Sequence, residues 1–232
     1  MPTPQKISTN IFMVGSGTLS GMNDCCIYAI RTASGVCLID TGTGNGGMIM
    51  KNIKDAGLAE KPITHIVLTH AHYDHVGAAW QFKKILPNIK IIAHQEDVDA
   101  IEGKTGTEAL TAAAGYHAKL TPVKVDVVLT KDVEELDIGG TKATIYHTPG
   151  HTPGSISVLV NDDGKKILFG QDIHGPFLPE FKSDVQAWAK SMKILAGLNA
   201  DILCEGHFGV YDGAGKVKDF IGEHMKDNGF SL

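Results

Sequence analysis

The chain of 232 residues contains no long hydrophobic segment and no cluster of basic residues. No run approaches the roughly 20 apolar positions that a membrane-spanning helix needs, and residues 1–6 lack the apolar core of a signal peptide. The net charge is −5 with both signs interspersed, which disfavours binding to RNA or another polyanion. We therefore expect a cytoplasmic protein without a membrane segment that acts on a small molecule.

Cysteine is scarce, with residues only at Cys25, Cys26, Cys37 and Cys204. Their spacing matches neither a disulfide scaffold nor a zinc-finger pattern. Because side chains alternate between the two faces of a strand, the adjacent Cys25 and Cys26 would point in opposite directions. The pattern predicts reduced, mostly buried thiols, as is usual in the cytoplasm.

The length and the 43% hydrophobic content allow a substantial core. We predict a single domain that covers residues 1–232, and a homodimer stays open. Ser183 and Gln186 resemble a capping box that begins a helix. Short apolar segments predict strands near 7–14, 25–31, 36–40, 63–69, 89–93, 123–130, 142–147, 155–160, 166–170 and 201–205, with helices near 46–57 and 75–86.

The segment His70-Ala71-His72-Tyr73-Asp74-His75 places three imidazoles and one carboxylate within six residues. Neutral imidazoles and carboxylates are ligands for zinc, iron and manganese. In an extended segment His70 and His72 point one way, while Asp74 and His75 can point another, so one loop could supply two neighbouring metal positions. The segment follows a predicted strand and precedes a predicted helix, a position where α/β proteins commonly bind ligands.

Three further residues with metal-binding side chains each follow an apolar segment. His151 lies in a turn rich in proline and glycine, Asp172 follows residues 166–170, and His207 follows residues 201–206. A single histidine of this kind is more often structural than a ligand. Their shared position after predicted strands favours one metal site that is assembled from several loops.

In its ordered set of metal-binding residues the chain resembles the metallo-β-lactamase-fold hydrolases, over about residues 7–225. The segment Asp40-Thr41-Gly42 is also similar to an early segment of that family. The resemblance implies an α/β fold, a four-layer αββα sandwich with the metal ions at one edge. The matching residues are His70, His72, Asp74, His75, His151, Asp172 and His207.

The resemblance also implies how these residues divide between two divalent ions, with zinc favoured and iron or manganese as alternatives. A hydroxide that bridges two ions could attack the substrate, because such ions lower the pKa of bound water toward neutrality. Asp74 would orient that hydroxide and is therefore a candidate catalytic residue. The first ion would be bound by His70, His72 and His151, and the second by Asp74, His75 and His207, with Asp172 bridging both.

Asp172 bears on the reaction, since the zinc β-lactamases of the family usually carry Cys or Ser at this place. The resemblance therefore favours cleavage of an ester, thioester, lactone or phosphodiester bond. Lactonases usually place a Tyr shortly after the bridging Asp, and glyoxalase-II-like thioesterases carry an added helical domain; the sequence shows neither. The alternatives are a mononuclear iron oxygenase acting on sulfur, similar to the persulfide dioxygenases, and a non-catalytic metal-binding scaffold.

Two features near the expected site remain open to interpretation. His174 follows Asp172 by two residues and is a candidate catalytic residue, as a proton donor or a substrate contact, although a surface role is equally compatible. The segment 94–122 lacks a clear pattern, and we expect a solvated helical excursion there. The alternative is a flap over the metal ions that sets substrate choice, with Tyr116 or His117 reaching in.

Overall fold

Two β-sheets and two groups of helices form the computed structural model, which describes residues 2–232. In each sheet, strands that are adjacent in space are also adjacent in sequence. The first sheet contains β1 (Gln5–Lys6), β2 (Ile11–Gly15), β3 (Ile27–Arg31), β4 (Val36–Ile39), β5 (Ile63–Val67), β6 (Lys90–His94) and β7 (Val127–Leu129). The second contains β8 (Val133–Asp137), β9 (Lys142–His147), β10 (Ile156–Asp162), β11 (Lys165–Gln171), β12 (Ile202–Glu205) and β13 (Val210–Asp212).

The helices lie in the connections between strands and at the carboxyl-terminal end. The α-helices are α1 (Gly46–Ile53), α2 (Tyr73–Val76), α3 (Ala79–Ile85), α4 (Gln95–Ile101), α5 (Val185–Gly197) and α6 (Ala214–Asp227). A π-helical turn, Lys54–Leu58, continues α1, and single 3₁₀ turns span Glu108–Thr111, Ala113–Tyr116 and Pro179–Phe181.

Alternation of side chains along the strands explains how the layers stack. In β4, Leu38 faces the buried side chains of α1 and α3, whereas Cys37 and Ile39 face the second sheet. In β11, Phe169 faces the first sheet and Leu168 packs against α5 and α6. Three apolar layers therefore separate four layers of secondary structure. The predicted αββα sandwich is confirmed.

The directions of the strands place several connecting loops at one edge of each sheet. Strands β4, β5 and β6 run parallel to one another, so the loops that follow them leave from the same edge. Strands β9 and β11 are both antiparallel to β10, and β12 is parallel to β11, so these three also end at a common edge. The segments that contain the predicted ligands follow β5, β9, β11 and β12.

Several local predictions need correction. Short strands β8 and β13 were not predicted, and the predicted helix 75–86 is interrupted between α2 and α3. Residues 95–101, in the segment expected to be a solvated helical excursion, form the regular helix α4, which buries Asp97, Ala100 and Ile101. Asp184 rather than Ser183 caps α5, since its carboxylate accepts hydrogen bonds from the amides of Gln186 and Ala187. Among residues 2–232, no helix is both long and apolar enough to cross a membrane.

Candidate metal centre

The structure brings all seven predicted ligand residues together. Side-chain donor atoms of His70, His72, His151 and Asp172 lie within 4.8 Å of one another, and those of Asp74, His75 and His207 form a second, three-residue group within the same distance. The first half of the chain supplies four of these residues and the second half supplies three. The site is therefore built where the two sheets meet.

The first group is formed by three imidazoles and one carboxylate. The Nε2 atom of His151 lies 2.9 Å from Nδ1 of His72 and 3.5 Å from Oδ2 of Asp172. Nε2 of His70 lies 3.9 Å from the same Asp172 oxygen. His72 thus presents Nδ1 to the group, whereas His70 and His151 present Nε2.

The second group shares Asp172 with the first. Nε2 of His207 lies 3.1 Å from Oδ2 of Asp74 and 3.2 Å from Oδ2 of Asp172. Nε2 of His75 lies 3.2 Å from the other oxygen, Oδ1, of Asp172. The Asp172 carboxylate therefore stands between two donor groups, which is the position that a bridging ligand requires.

Buried atoms without hydrogen-bond partners test whether this donor set fits metal ions. Among the described residues, these atoms are Nε2 of His70, His72 and His75 and Oδ1 of Asp172. A buried polar atom left unpaired costs about 1–3 kcal/mol. Those of His70, His75 and Asp172 are donor atoms of the two groups, where a divalent ion would pair with them. The donor set fits two ions, and the assignment of each ligand stays a prediction.

Charges in the first group match what a divalent ion needs. Burial lowers the pKa of His70 and His151, and it lowers the pKa of His72 to about 3. Burial opposes ionisation of Asp172, but the charges of His75 and His207 outweigh it and hold the pKa of Asp172 well below its usual range. Neutral imidazoles beside an ionised carboxylate are ready to bind a cation.

His207 behaves differently because two carboxylates flank it. Burial alone would lower its pKa, but hydrogen bonds with Asp172 and Asp74 raise the pKa to about 10. In the metal-free chain a proton on His207 therefore offsets part of the negative charge of these carboxylates. A bound ion would displace that proton.

Two buried aspartates hold the ligand loops in place. Oδ2 of Asp40 lies 2.7 Å from Nδ1 of His75, and Oδ1 accepts a hydrogen bond from the Thr69 amide. This carboxylate fixes the ring so that Nε2 is the donor atom, as is common for metal-binding histidines. Asp97 accepts hydrogen bonds from the Ala71 amide, the Gly154 amide and the Thr152 hydroxyl, each at 2.8 Å.

Asp97 thereby joins the loop after β5 to the loop after β9. Asp97 was not predicted from the sequence, because its partners are backbone and hydroxyl groups that lie far from it in sequence. Ser183, predicted to cap a helix, instead donates its hydroxyl hydrogen bond to the carbonyl of His151. At Gly206, any Cβ atom would collide with Oδ1 of Asp172, so glycine allows the two loops to approach closely.

A cavity of about 700 Å³ opens onto the two donor groups. Its floor includes His72, Asp74 and Asp172, and residues 108–116 form one wall. Residues 108–116 thus lie beside the donor groups, where the alternative interpretation placed a flap, although Glu108, Ala109, Ala114 and Gly115 are exposed. Tyr116 lines the cavity, whereas His117 is exposed and does not. Burial and the nearby Asp74 carboxylate raise the pKa of Tyr116.

His174 also lines this cavity, beside His207. Its Nδ1 donates a 2.6 Å hydrogen bond to Oε1 of Glu205, which leaves Nε2 as the nitrogen able to interact with a bound molecule. The other Glu205 oxygen accepts hydrogen bonds from the amides of His207 and Phe208. Glu205 was not identified from the sequence, and it positions both His174 and the loop of His207.

Comparisons with known proteins agree with this arrangement. Residues 23–207 match the sequence profile of the metallo-β-lactamase superfamily. The chain is 29% identical over 200 residues to "Probable metallo-hydrolase YflN" of Bacillus subtilis, covering 73% of this chain and 74% of that protein. It is 24% identical over 184 residues to the human "Acyl-coenzyme A thioesterase MBLAC2", covering 73% of this chain and 65% of that protein.

Among solved structures, the native FEZ-1 metallo-β-lactamase from Legionella gormanii has the same fold. It superimposes with a TM-score of 0.80 at 23% sequence identity, covering 98% of this chain and 95% of that one. The profile match spans most of the sequence and both donor groups. The chain therefore belongs to the metallo-β-lactamase superfamily, as a hydrolase of that fold.

Proposed function

We propose that the protein is a dinuclear metallohydrolase that cleaves an ester or thioester of a small molecule. The observation that carries this proposal is the Asp172 carboxylate, whose oxygens approach the donors of both groups. A site for one ion would not need a second complete set of donors around the same carboxylate. Zinc is the favoured metal because imidazole and carboxylate donors suit it, although iron and manganese accept the same donors.

The chain's own residues would bind the ions and prepare the substrate. His70, His72 and His151 would hold one ion, Asp74, His75 and His207 the other, and Asp172 both. When bound, the ions supply Lewis acidity and lower the pKa of a water molecule, which makes hydroxide available at neutral pH. The ionised Asp74 carboxylate lines the cavity and would orient the attacking oxygen by accepting its hydrogen bond.

Two further side chains at the cavity can handle protons. Glu205 accepts the Nδ1 hydrogen of His174, so His174 would donate a proton from Nε2 to the leaving group only as the imidazolium, and the neutral ring would accept a proton there. The raised pKa of Tyr116 keeps its hydroxyl protonated at neutral pH, and this hydroxyl would donate a hydrogen bond to the substrate carbonyl.

The choice of bond rests on two observations. The human relative is named as an acyl-coenzyme A thioesterase, and the cavity walls between floor and mouth include Ala112, Leu178 and Phe181. Such walls suit an acyl chain, because burying apolar surface is favourable. A lactone has the same carbonyl chemistry and belongs in the substrate panel, as does a phosphodiester.

Metal content tests the dinuclear site directly. Protein stripped of metal and reloaded with excess zinc should bind two ions per chain, as measured by elemental analysis after gel filtration. His151→Ala should lose mainly the first ion and His207→Ala mainly the second. His224→Ala is the matched control, because His224 lies on α6 outside both donor groups, and it should retain both ions. Saturation of the unaltered protein at one ion would overturn the proposal.

Oxygen dependence separates hydrolysis from the sulfur oxygenase alternative. The zinc-loaded protein should cleave thioesters and esters at the same rate in air and under argon, because Lewis-acid hydrolysis consumes only water. Turnover that requires iron, with oxygen uptake from a persulfide and none from the ester panel, would replace the proposed function while leaving the fold assignment intact.

A further inference from the structure

The cavity that opens onto the donor groups has an acidic mouth. Glu108 and Glu180 both line it and are exposed, whereas the floor residues His72 and Asp172 are buried. The two glutamates come from neighbouring 3₁₀ turns, Glu108–Thr111 and Pro179–Phe181, which contact each other. No lysine or arginine between residues 2 and 232 lines this cavity.

The cavity is a ligand site on grounds that do not involve these glutamates. His72 and Asp172 line its floor, and each has a buried atom without a hydrogen-bond partner among the described residues, Nε2 of His72 and Oδ1 of Asp172. Between floor and mouth the walls are apolar, formed in part by Ala109, Leu178 and Phe181. A bound molecule would therefore meet buried polar donors, apolar side chains and two exposed carboxylates in one cavity.

The cationic side chains of the same wall lie on its opposite side. A second cavity of about 490 Å³ shares Glu108, Ala109 and Ala114 with the first, so residues 108–114 separate the two cavities. Lys104 and Lys119 line this second cavity and do not line the first. Glu108 lines both cavities, and its carboxylate accepts a hydrogen bond from the Gly106 amide, whereas Lys104 and Lys119 lie at the second cavity alone.

We propose that this cavity selects acyl substrates whose remote end is uncharged or cationic and rejects those whose remote end carries a carboxylate or phosphate. The inference rests on the proposed function and names its substrate class. An anionic group near Glu108 and Glu180 would be repelled, and the apolar walls offer it no donor to replace water. A neutral chain gains from burial, and a cationic end gains from the glutamates.

Bound ions do not reverse this preference, because their charge acts at a different end of the cavity. They would sit on the floor, where Asp74 and Asp172 already offset part of their charge, and would act on the reacting carbonyl. The glutamates are exposed at the mouth and would act on the remote end of the substrate. Selection by charge at the mouth is therefore separable from catalysis at the floor.

Two matched series of thioesters test this proposal with zinc-loaded protein. In the first, N-acetylcysteamine carries a pentanoyl, a glutaryl or a 4-(trimethylammonio)butanoyl group. In the second, pentanoate is joined to propanethiol, 3-mercaptopropionate or thiocholine. Whichever half of the substrate lies at the mouth, one series places the variable charge there. We expect kcat/KM for the anionic member of that series to be about tenfold or more below the neutral member.

Variants assign the selectivity to the two glutamates. In Glu108→Gln/Glu180→Gln, the penalty on the anionic substrate should shrink by roughly fivefold while kcat for the neutral substrate is retained, and added salt should shrink it in the unaltered protein. Glu60→Gln is the matched control, because Glu60 is exposed and lies outside the cavity. Equal kcat/KM for all charges in both series, or a penalty unchanged in the double variant, would overturn this inference. Failure to cleave any neutral thioester or ester would instead refute the proposed function.

Discussion

The floor and the wall of the metal-binding cavity are held in place by different kinds of contact. On the floor, buried carboxylates fix the ligand loops: Asp40 contacts His75, Asp97 joins two loops, and Glu205 contacts His174. In the wall, residues 108–116, the hydrogen bonds are short-range, such as that from the Thr111 hydroxyl to the carbonyl of Glu108.

Left-handed backbone conformations occur at the wall as well as at the floor, where Asp40 and Gln171 have φ values of 63° and 52°. Ala112 and His117, which flank the turn Ala113–Tyr116, have φ values of 53° and 52°. Such left-handed positions cost of order 1 kcal/mol for residues other than glycine. Apart from the exposed His207, the floor residues are buried and tied by long-range hydrogen bonds, which suits chemistry that depends on donor positions. The wall is held by local hydrogen bonds, and its turn Ala113–Tyr116 contacts α2. We therefore expect catalysis to depend on the floor and substrate selection to depend on the wall.

Removing a floor anchor should have the largest effect. Asp97→Ala leaves three buried donors without an acceptor, so the free energy of unfolding of the metal-free protein should fall by about 3 kcal/mol or more. Urea denaturation measures this change. Asp99→Ala, an exposed position in the same helix that pairs only with Lys104, should cost less than about 1 kcal/mol. If the two variants are equally stable, Asp97 is not an anchor.

Substitution of Asp74, also on the floor, should lower activity much more than stability. Asp74→Asn keeps the shape of the side chain but removes the charge that would orient the attacking oxygen, so kcat should fall by a factor of about 100 or more. The melting temperature of the metal-free protein should change much less than the activity does. The control is Asp219→Asn, an exposed position on α6. Near-normal turnover of Asp74→Asn with full metal content would show that Asp74 has another role.

The wall should contribute the smallest effect on the reaction itself. Tyr116 is the wall residue whose pKa responds to Asp74, so Tyr116→Phe should lower kcat by about tenfold or less through loss of one hydrogen bond. Steady-state kinetics and metal analysis would show this with the metal content unchanged. Tyr146→Phe, a half-buried position in β9 outside the cavity, is the control. A loss of kcat as large as that of Asp74→Asn would show that the wall contributes to catalysis as much as the floor does.

The parts of the site that the sequence predicted share one property. The seven ligand residues and the strands before them were identified because metal chemistry restricts side-chain types and because buried strands have a regular pattern. The structure places these residues in two groups of donor atoms around Asp172, and their role as metal ligands stays a prediction. Their placement was predictable because parallel strands end at a common edge.

Other parts of the site depend on tertiary contacts that no local pattern reveals. Asp97 and Glu205 accept hydrogen bonds from backbone amides. Because nearly every residue has such an amide, the sequence does not indicate which ones these carboxylates contact. The cap of α5 was misplaced by one residue because Ser183 and Asp184 are both good caps, and Ser183 is instead bonded to the carbonyl of His151. The wall could not be placed because its 3₁₀ turns are short and their position depends on packing against Pro179–Phe181.

The order of the strands has a consequence for how the chain assembles. Residues 5–129 build the whole first sheet and residues 133–212 build the whole second sheet. Each sheet can thus form from neighbouring hairpins and crossovers, without waiting for a strand from the other half, and such local pairing favours rapid folding. The donor groups draw on both halves. Metal ions would therefore bind after the two halves have formed and docked, and would stabilise their association.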